Sequence, residues 1–224
     1  LAEGLFPRFQ RAFLEKDLVL LAMTEVGFVY TMSGEPVTTV AQLRASKCWA
    51  PENDPLSRGF LEDVGVTPIP LSIPDVLSSL QTGMINTVFN GFYGSIVLQW
   101  FTRTKYITDT PFGYAYGGLV FSKNAFDKLS PQHAALMESA AKKHFAALLI
   151  DTRRSNEEAL ATLKKNGIQL VTADKETLRQ LVAVRDQKTV PRLVGKAFSK
   201  EIYEAATGLL ADFRAKSPGG AAAR

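Results

Sequence analysis

Few residues in this chain could carry covalent or acid–base chemistry. Cys48 is its single cysteine, and His133 and His144 are its two histidines. A thiol in the run Lys47-Cys48-Trp49-Ala50 needs a paired base to act as a nucleophile, and the sequence offers none. Cys48 therefore reads as a buried strand residue, and alone it forms neither an internal disulfide nor a cysteine metal site. The two histidines lie on one helical stretch, ~16 Å apart at helical rise, too far to share a metal; they read as surface residues. Asp54, Glu62, Asp63 and Asp75 have no spacing that suggests paired acid–base work. No nucleophile elbow, Walker loop or GxGxxG fingerprint occurs. Gly113, Gly117 and Gly118 fall in a strand pattern and mark a bulge or hinge. What remains is recognition chemistry, carried by rings, amides and a few charges.

The elements that must position those groups follow from composition and period. The chain has 224 residues, of which 46% are hydrophobic and 21% charged, and suits one large domain or two small lobes. Its net charge is +4, with 26 basic residues spread among 22 acidic ones. The densest basic groups, Lys142-Lys143 and Arg153-Arg154, are flanked by Glu138, Asp151 and Glu157 and read as solvated helix faces, which argues against nucleic acid as a partner. The apolar runs Leu18 to Met23 and Ala146 to Ile150 are far short of the ~20 residues a membrane span needs.

Short apolar strand runs alternate with helical periodicity. Leu5 to Leu14 reads as a helix, Leu18 to Met23 as a strand covered on both faces, and Lys47 to Ala50 as another strand. Pro55 to Val64 is a helix stopped by Gly65, Thr67 to Pro70 a strand, and Ser72 caps a helix that Gly83 ends. Met84 to Phe89 is a strand, Gly94 to Phe101 a helix, Tyr106-Ile107 a short strand and Gly113 to Ser122 a longer one. This alternation predicts parallel sheets covered by helices. From Ser130 the spacing becomes helical for ~35 residues, about 50 Å, until Gly167. A strand at Ile168 to Val171 and helices from Lys175 to about Lys188 and Ser199 to Arg214 follow; the Gly/Ala-rich tail, residues 217–224, is expected to be disordered.

One ordered set of segments is recognisable. Glu35-Pro36-Val37-Thr38-Thr39-Val40-Ala41-Gln42-Leu43-Arg44 precedes a strand from Ser46 to Pro51. The run Leu71 to Asn86, with Leu80-Gln81-Thr82-Gly83 at its helix end, is followed by Asn90. Tyr106-Ile107-Thr108-Asp109-Thr110 and Phe126-Asp127-Lys128-Leu129-Ser130-Pro131 complete the set. From about Leu18 to Leu181 this order resembles the DctP family, the extracytoplasmic solute-binding subunits of tripartite ATP-independent periplasmic (TRAP) transporters.

The resemblance implies an α/β fold of the periplasmic-binding-protein-like type II class. Two α/β lobes would be joined by hinge strands near Gly27 and Gly113, with a long helix, about 131–166, running along both. Residues 1–35 and 112–216 would form lobe I, N-terminally truncated relative to the family, and residues 36–111 lobe II. The implied role is non-catalytic capture of a small organic solute in a cleft, in the periplasm, for TRAP membrane subunits, without cofactor or metal. Other readings are a sensing or scavenging domain with a different partner, or a bilobed enzyme. In the family, the strand after the Pro36 to Arg44 segment carries an arginine that grips a ligand carboxylate; Trp49 stands there, either as core filler or, the reading favoured here, as pocket wall. Lys47 and Arg58 are the nearest cations to replace it. Asn90 matches the family's second ligand contact and can both donate and accept. Glu25, Tyr30, Phe89, Phe92, Tyr93, Tyr114 and Tyr116 complete the expected site, with Phe28 beside them; core packing is the competing reading for the rings. Such a site favours a neutral or partly apolar solute.

Overall fold

The computed structural model describes residues 2–216, so the disorder expected of residues 217–224 lies outside the described residues. The elements in chain order are α1 (Ala2–Leu14), β1 (Leu18–Ser33), α2 (Val40–Ala45), β2 (Trp49–Pro51), α3 (Pro55–Val64), β3 (Ile69–Leu71), α4 (Ile73–Thr82), β4 (Thr87–Asn90) and α5 (Phe92–Val97). After a 3-10 turn at Trp100–Thr102 come β5 (Tyr106–Ser122), α6 (Lys123–Phe126), α7 (Pro131–Lys165), β6 (Gln169–Val171) and α8 (Lys175–Val184). A π-helical turn at Arg185–Thr189, α9 (Val190–Leu193) and α10 (Lys200–Lys216) end the described chain.

Local chemistry accounts for several of these ends. Asp54 caps α3 by accepting from the N–H groups of Leu56 and Ser57 at 2.9 and 3.2 Å. Ser72 has cap backbone geometry, but its hydroxyl donates to the Asp75 carboxylate and makes no cap bond. Thr39 and Gln42 form a reciprocal capping box on α2, a short helix that the period reading passed over. Ser130 Oγ accepts from His133 N–H at 3.3 Å where α7 begins. That helix then runs unbroken for 35 residues, close to the span its periodicity predicts.

Two strands are longer than expected. The runs on either side of Gly27 join into the 16-residue β1, and Tyr106-Ile107 joins the Gly113 segment as the 17-residue β5. Backbone pairing continues through the glycines that punctuate the side-chain pattern. The main sheet has the order β4-β1-β5-β6 and is mixed rather than purely parallel: β4 runs antiparallel to β1, whereas β5 and β6 are parallel. A second, two-stranded sheet pairs β2 with β3 in parallel.

The chain divides into two compact units. One holds the residues up to Thr24, Tyr116–Leu149 and those from Val194 onward; the other holds Glu25–Ala115 and Ile150–Leu193. β1, β5 and α7 each contribute residues to both. In the first unit α1 lies against α10, where a Cβ on Gly4 would come within 2.8 Å of Leu209. Its buried apolar side chains, among the described residues, are Leu5, Leu20, Ala22 and Ala141.

The second unit has two buried clusters. Tyr30 packs against one with Met32, and Val29 against the other, as alternation along β1 requires. The first cluster includes Met32, Trp49, Val76, Ile85, Val88, Trp100, Ile107 and Leu163, all at most 4% exposed. The second gathers Val40, Leu43, Cys48, Leu61, Val64 and Phe89, with Phe112, Leu181 and Val184 packed against it. Trp49 is thus buried in the first cluster. Its ring meets Trp100 edge-on at 5.1 Å, and its indole N–H donates to the Leu71 carbonyl at 2.9 Å. Alternation sends Trp49 and its neighbour Cys48 to opposite clusters. Trp49→Ala should therefore cost about 3–5 kcal/mol of stability in urea unfolding, the range for truncating a buried aromatic. A loss under 1 kcal/mol would contradict this placement.

Candidate ligand-binding site

The antiparallel register of β1 and β4 sets Tyr30 opposite Asn90, Thr31 opposite Phe89 and Met32 opposite Val88. Past Asn90, Gly91 leads into α5, and Phe92 stacks on Tyr30 with ring centroids 4.2 Å apart and planes 11° from parallel. Phe28, two residues before Tyr30, meets Tyr114 of β5 edge-on at 4.8 Å and lies 6.5 Å from Tyr30. Phe28 and Tyr114 are half exposed, at 52% and 40%, so the group has an apolar floor and an open rim. It is an aromatic platform built by two strands and a helix start, all in the second unit.

Polar groups border it. Glu25 receives both Arg153 Nε and Nη2, at 2.7 and 2.9 Å, in a fork-to-fork pair. The Arg153 hydrogen bonds pull the Glu25 carboxyl below the usual carboxylate range, against the upward push of burial, and a bond from Tyr114 adds to them. Burial pushes the Tyr30 phenol up, and the charge of Asp109 adds to the shift. Asp109 itself accepts from Thr172 Oγ1 at 2.7 Å. Asn90 Oδ1 accepts from the Gly91 N–H at 2.8 Å. One turn after Arg153, Asn156 donates from Nδ2 to Val26 O at 2.9 Å and accepts from Tyr93 N–H at 3.3 Å.

The expected residues therefore separate. Glu25, Tyr30, Asn90, Phe92 and Tyr114 come together with Phe28, and Tyr93 follows directly on α5. Trp49 and Phe89 lie in the two cores; Phe89 packs at 4.3 Å on Phe112. Tyr116, two residues beyond Tyr114, belongs to the first unit. Lys47 Nζ donates to Gly83 O at 3.0 Å, and Arg58 Nε pairs with Glu62 on α3 at 2.8 Å, so both proposed replacement cations are engaged elsewhere. Arg153, paired with Glu25 beside the platform, was assigned by sequence reasoning to a solvated helix face, and Asn156 went unnoticed. One signal was present: asparagine competes with the helical backbone and is unfavourable in a helix interior, yet Asn156 stands deep inside the longest helix.

Cys48 is fully buried, and burial pushes its thiol up to about 12, far from a reactive thiolate. Among the described residues no three His, Cys, Asp or Glu side chains gather as a metal site, and no helix is long and apolar enough to cross a membrane. A cavity of about 60 Å³ borders α2 and α8, lined by Thr31, Leu43, Thr108, Thr110, Phe112 and Leu181 among others. None of the expected site residues lines it.

Comparison with known proteins accords with this architecture. The family described as bacterial extracellular solute-binding protein, family 7 (DctP), matches residues 2–189. The chain is 26% identical over 160 residues to the 2,3-diketo-L-gulonate-binding periplasmic protein of Escherichia coli K12, covering 70% of this chain and 48% of that protein. It is 24% identical over 179 residues to the ectoine-binding periplasmic protein of Halomonas elongata, covering 80% and 52%. The chain thus spans about half the length of these curated relatives. A TRAP periplasmic solute-binding protein from Xanthobacter autotrophicus Py2, solved with β-D-galacturonate, superposes with a TM-score of 0.80 at 17% identity, over 92% of this chain and 66% of that one. At that identity the likeness speaks for the fold.

The Glu25–Arg153 pair gives a signed pH test. Because the folded carboxyl is held low, its stabilisation is complete above the ordinary glutamate range and fades as pH falls through the folded value. Glu25→Gln should lose about 1 kcal/mol at pH 7 in low salt, less in high salt. The gap from wild type should close in acid unfolding below about pH 4. An equal gap at pH 7 and in strong acid would contradict the ionic assignment.

Proposed function

The chain belongs to the bacterial extracellular solute-binding proteins of family 7, and on that premise we propose that it captures a small organic solute in the periplasm and delivers it to TRAP membrane subunits. The observation that carries this reading is the platform of Phe28, Tyr30, Phe92 and Tyr114, with Asn90 and the Glu25–Arg153 pair around it. Half-exposed rings beside a few oriented polar groups make a surface for binding a small molecule, with no activated nucleophile or base among them. The protein acts as a receptor, not an enzyme.

The chemistry of the platform narrows the solute. Trp49 occupies the strand position at which the family resemblance implies an arginine, and its indole is spent on the core. The Nε and Nη2 edge of Arg153 is taken by Glu25, an internal carboxylate. Local charge is thus largely balanced within the protein. A compact solute with an apolar or ring face against Tyr30 and Phe28, and a polar group at Asn90, fits best.

Thermal-shift screening of the full-length protein tests this. The panel comprises the solutes named for its relatives (diketogulonate, ectoine and galacturonate) together with neutral and aromatic compounds of similar size. A solute at 100 times its dissociation constant adds about 2.7 kcal/mol of stability. Compact ring-bearing solutes should give the largest shifts, and Tyr30→Ala should weaken the best of them at least tenfold in titration calorimetry. Undiminished binding in Tyr30→Ala, or a preference for flexible dicarboxylates, would contradict the reading.

A further inference from the structure

α5 begins with a deficit. Its N-cap is Gly91, which has no side chain to accept from the first N–H groups of the helix. Asn156, from the middle of α7, supplies the missing acceptor: its Oδ1 receives Tyr93 N–H at 3.3 Å. The other half of the same amide donates to Val26 O of β1 at 2.9 Å. One planar group thereby joins three elements that the sequence separates by 63 and 130 residues.

The surrounding backbone leaves little room for anything else. Gly27 has φ +113°, a conformation L side chains rarely adopt, and a Cβ there would lie 2.9 Å from Asn156 Nδ2. A Cβ at Gly91 would sit 3.4 Å from Phe28 O and 3.5 Å from Asn156 Oδ1. Arg153, one turn earlier on α7, clamps Glu25 just before Val26. The residues on either side of the clamp carry three of the platform rings: Phe28 and Tyr30 on β1, Phe92 at the start of α5.

From this geometry we propose that Asn156 is a positioning residue, a cap delivered from another helix, which with the Glu25–Arg153 pair holds β1 and α5 so that the Tyr30–Phe92 stack is preformed before any solute arrives. The proposal rests on reading that stack as the solute-binding surface, but the arrangement itself can be tested on the protein without any solute. Asparagine suits the place because it presents one donor and one acceptor on a short planar arm. Aspartate keeps the acceptor and puts a carboxylate oxygen against the Val26 carbonyl; leucine has neither group.

The test uses the unliganded protein at constant temperature, reading ring-current shifts of Tyr30 and Phe92 and hydrogen exchange of the Tyr93 amide by NMR. At pH 7 the carboxylate of Asn156→Asp is repelled by the Val26 carbonyl and swings away from both partners, so Asn156→Asp and Asn156→Leu should both lose the stacked-ring shifts, and Tyr93 should exchange about tenfold faster, the scale of one lost hydrogen bond. Protonating the new aspartate restores a donor beside an acceptor. Near pH 4 Asn156→Asp should therefore recover both signals, while Asn156→Leu does not. Wild-type signals in both variants at pH 7, or equal behaviour of the two at low pH, would overturn the positioning role. Failure of the solute reading would register differently, as intact ring shifts in a wild-type protein whose solute affinity is indifferent to Tyr30→Ala.

Discussion

The pairing of β4 with β1 is the constraint from which the rest of the second unit follows. Side chains alternate across a strand, so a one-residue slip would send every inward residue outward. Here Met32 and Val88 face each other across the register, and both are fully buried. Their burial pins the pairing, and the pairing sets Tyr30 beside Asn90 two residues along. At the other end, Gly34 N–H donates to Asn86 O at 3.0 Å, and Asn86 Oδ1 accepts from Lys47 N–H at 2.9 Å. The entry to β2 is thereby keyed to the entry to β4, and Trp49 is directed into the core two residues later. One register thus places both the platform and the indole beneath it.

If the platform binds solute as proposed, the two tryptophans serve stability while the Glu25–Arg153 pair borders the recognition surface. The edge-on pair of Trp49 and Trp100 is large and rigid, with the Trp49 N–H satisfied. An arginine at that position would have to be buried with a compensating anion, a costly arrangement in a core. The cation near the platform instead comes from α7, where the Arg153 side chain stays 62% exposed and the desolvation cost is small. Its partner is a protein carboxylate, so the field at the platform is set internally. On the proposed reading, dispersion, ring geometry and single hydrogen bonds are left to choose the solute.

Much of the fold was legible in sequence because local rules and tertiary packing agree there. The 35-residue α7, its start at Ser130 and the Asp54-capped α3 all follow from spacing and capping. Long strands were harder. Gly27 and Gly113 break the side-chain pattern, but backbone pairing ignores it, so β1 and β5 run on where two shorter strands were expected. Antiparallel pairing of β1 with β4 was also hidden, since strand–helix alternation is silent on an edge strand's direction. At the candidate site, the family resemblance pointed to Asn90 and the rings Tyr30 and Phe92, which the register and stacking do bring together, whereas Trp49 was ambiguous between wall and core. Arg153 and Asn156 act through contacts more than a hundred residues away in sequence. No local pattern encodes those, beyond an asparagine where a helix would rather have none.

The central claim is that solute binds on the Phe28–Tyr30–Phe92–Tyr114 platform and not against Trp49. The most direct measurement is an NMR titration of the protein, labelled at tyrosine rings and at the tryptophan indole nitrogen, with the solute that gives the largest thermal shift. The account predicts saturable shifts of the Tyr30 and Tyr114 ring signals while the Trp49 indole N–H, bonded to Leu71, stays in place. Movement of the Trp49 indole signal with both tyrosine rings unperturbed would contradict it.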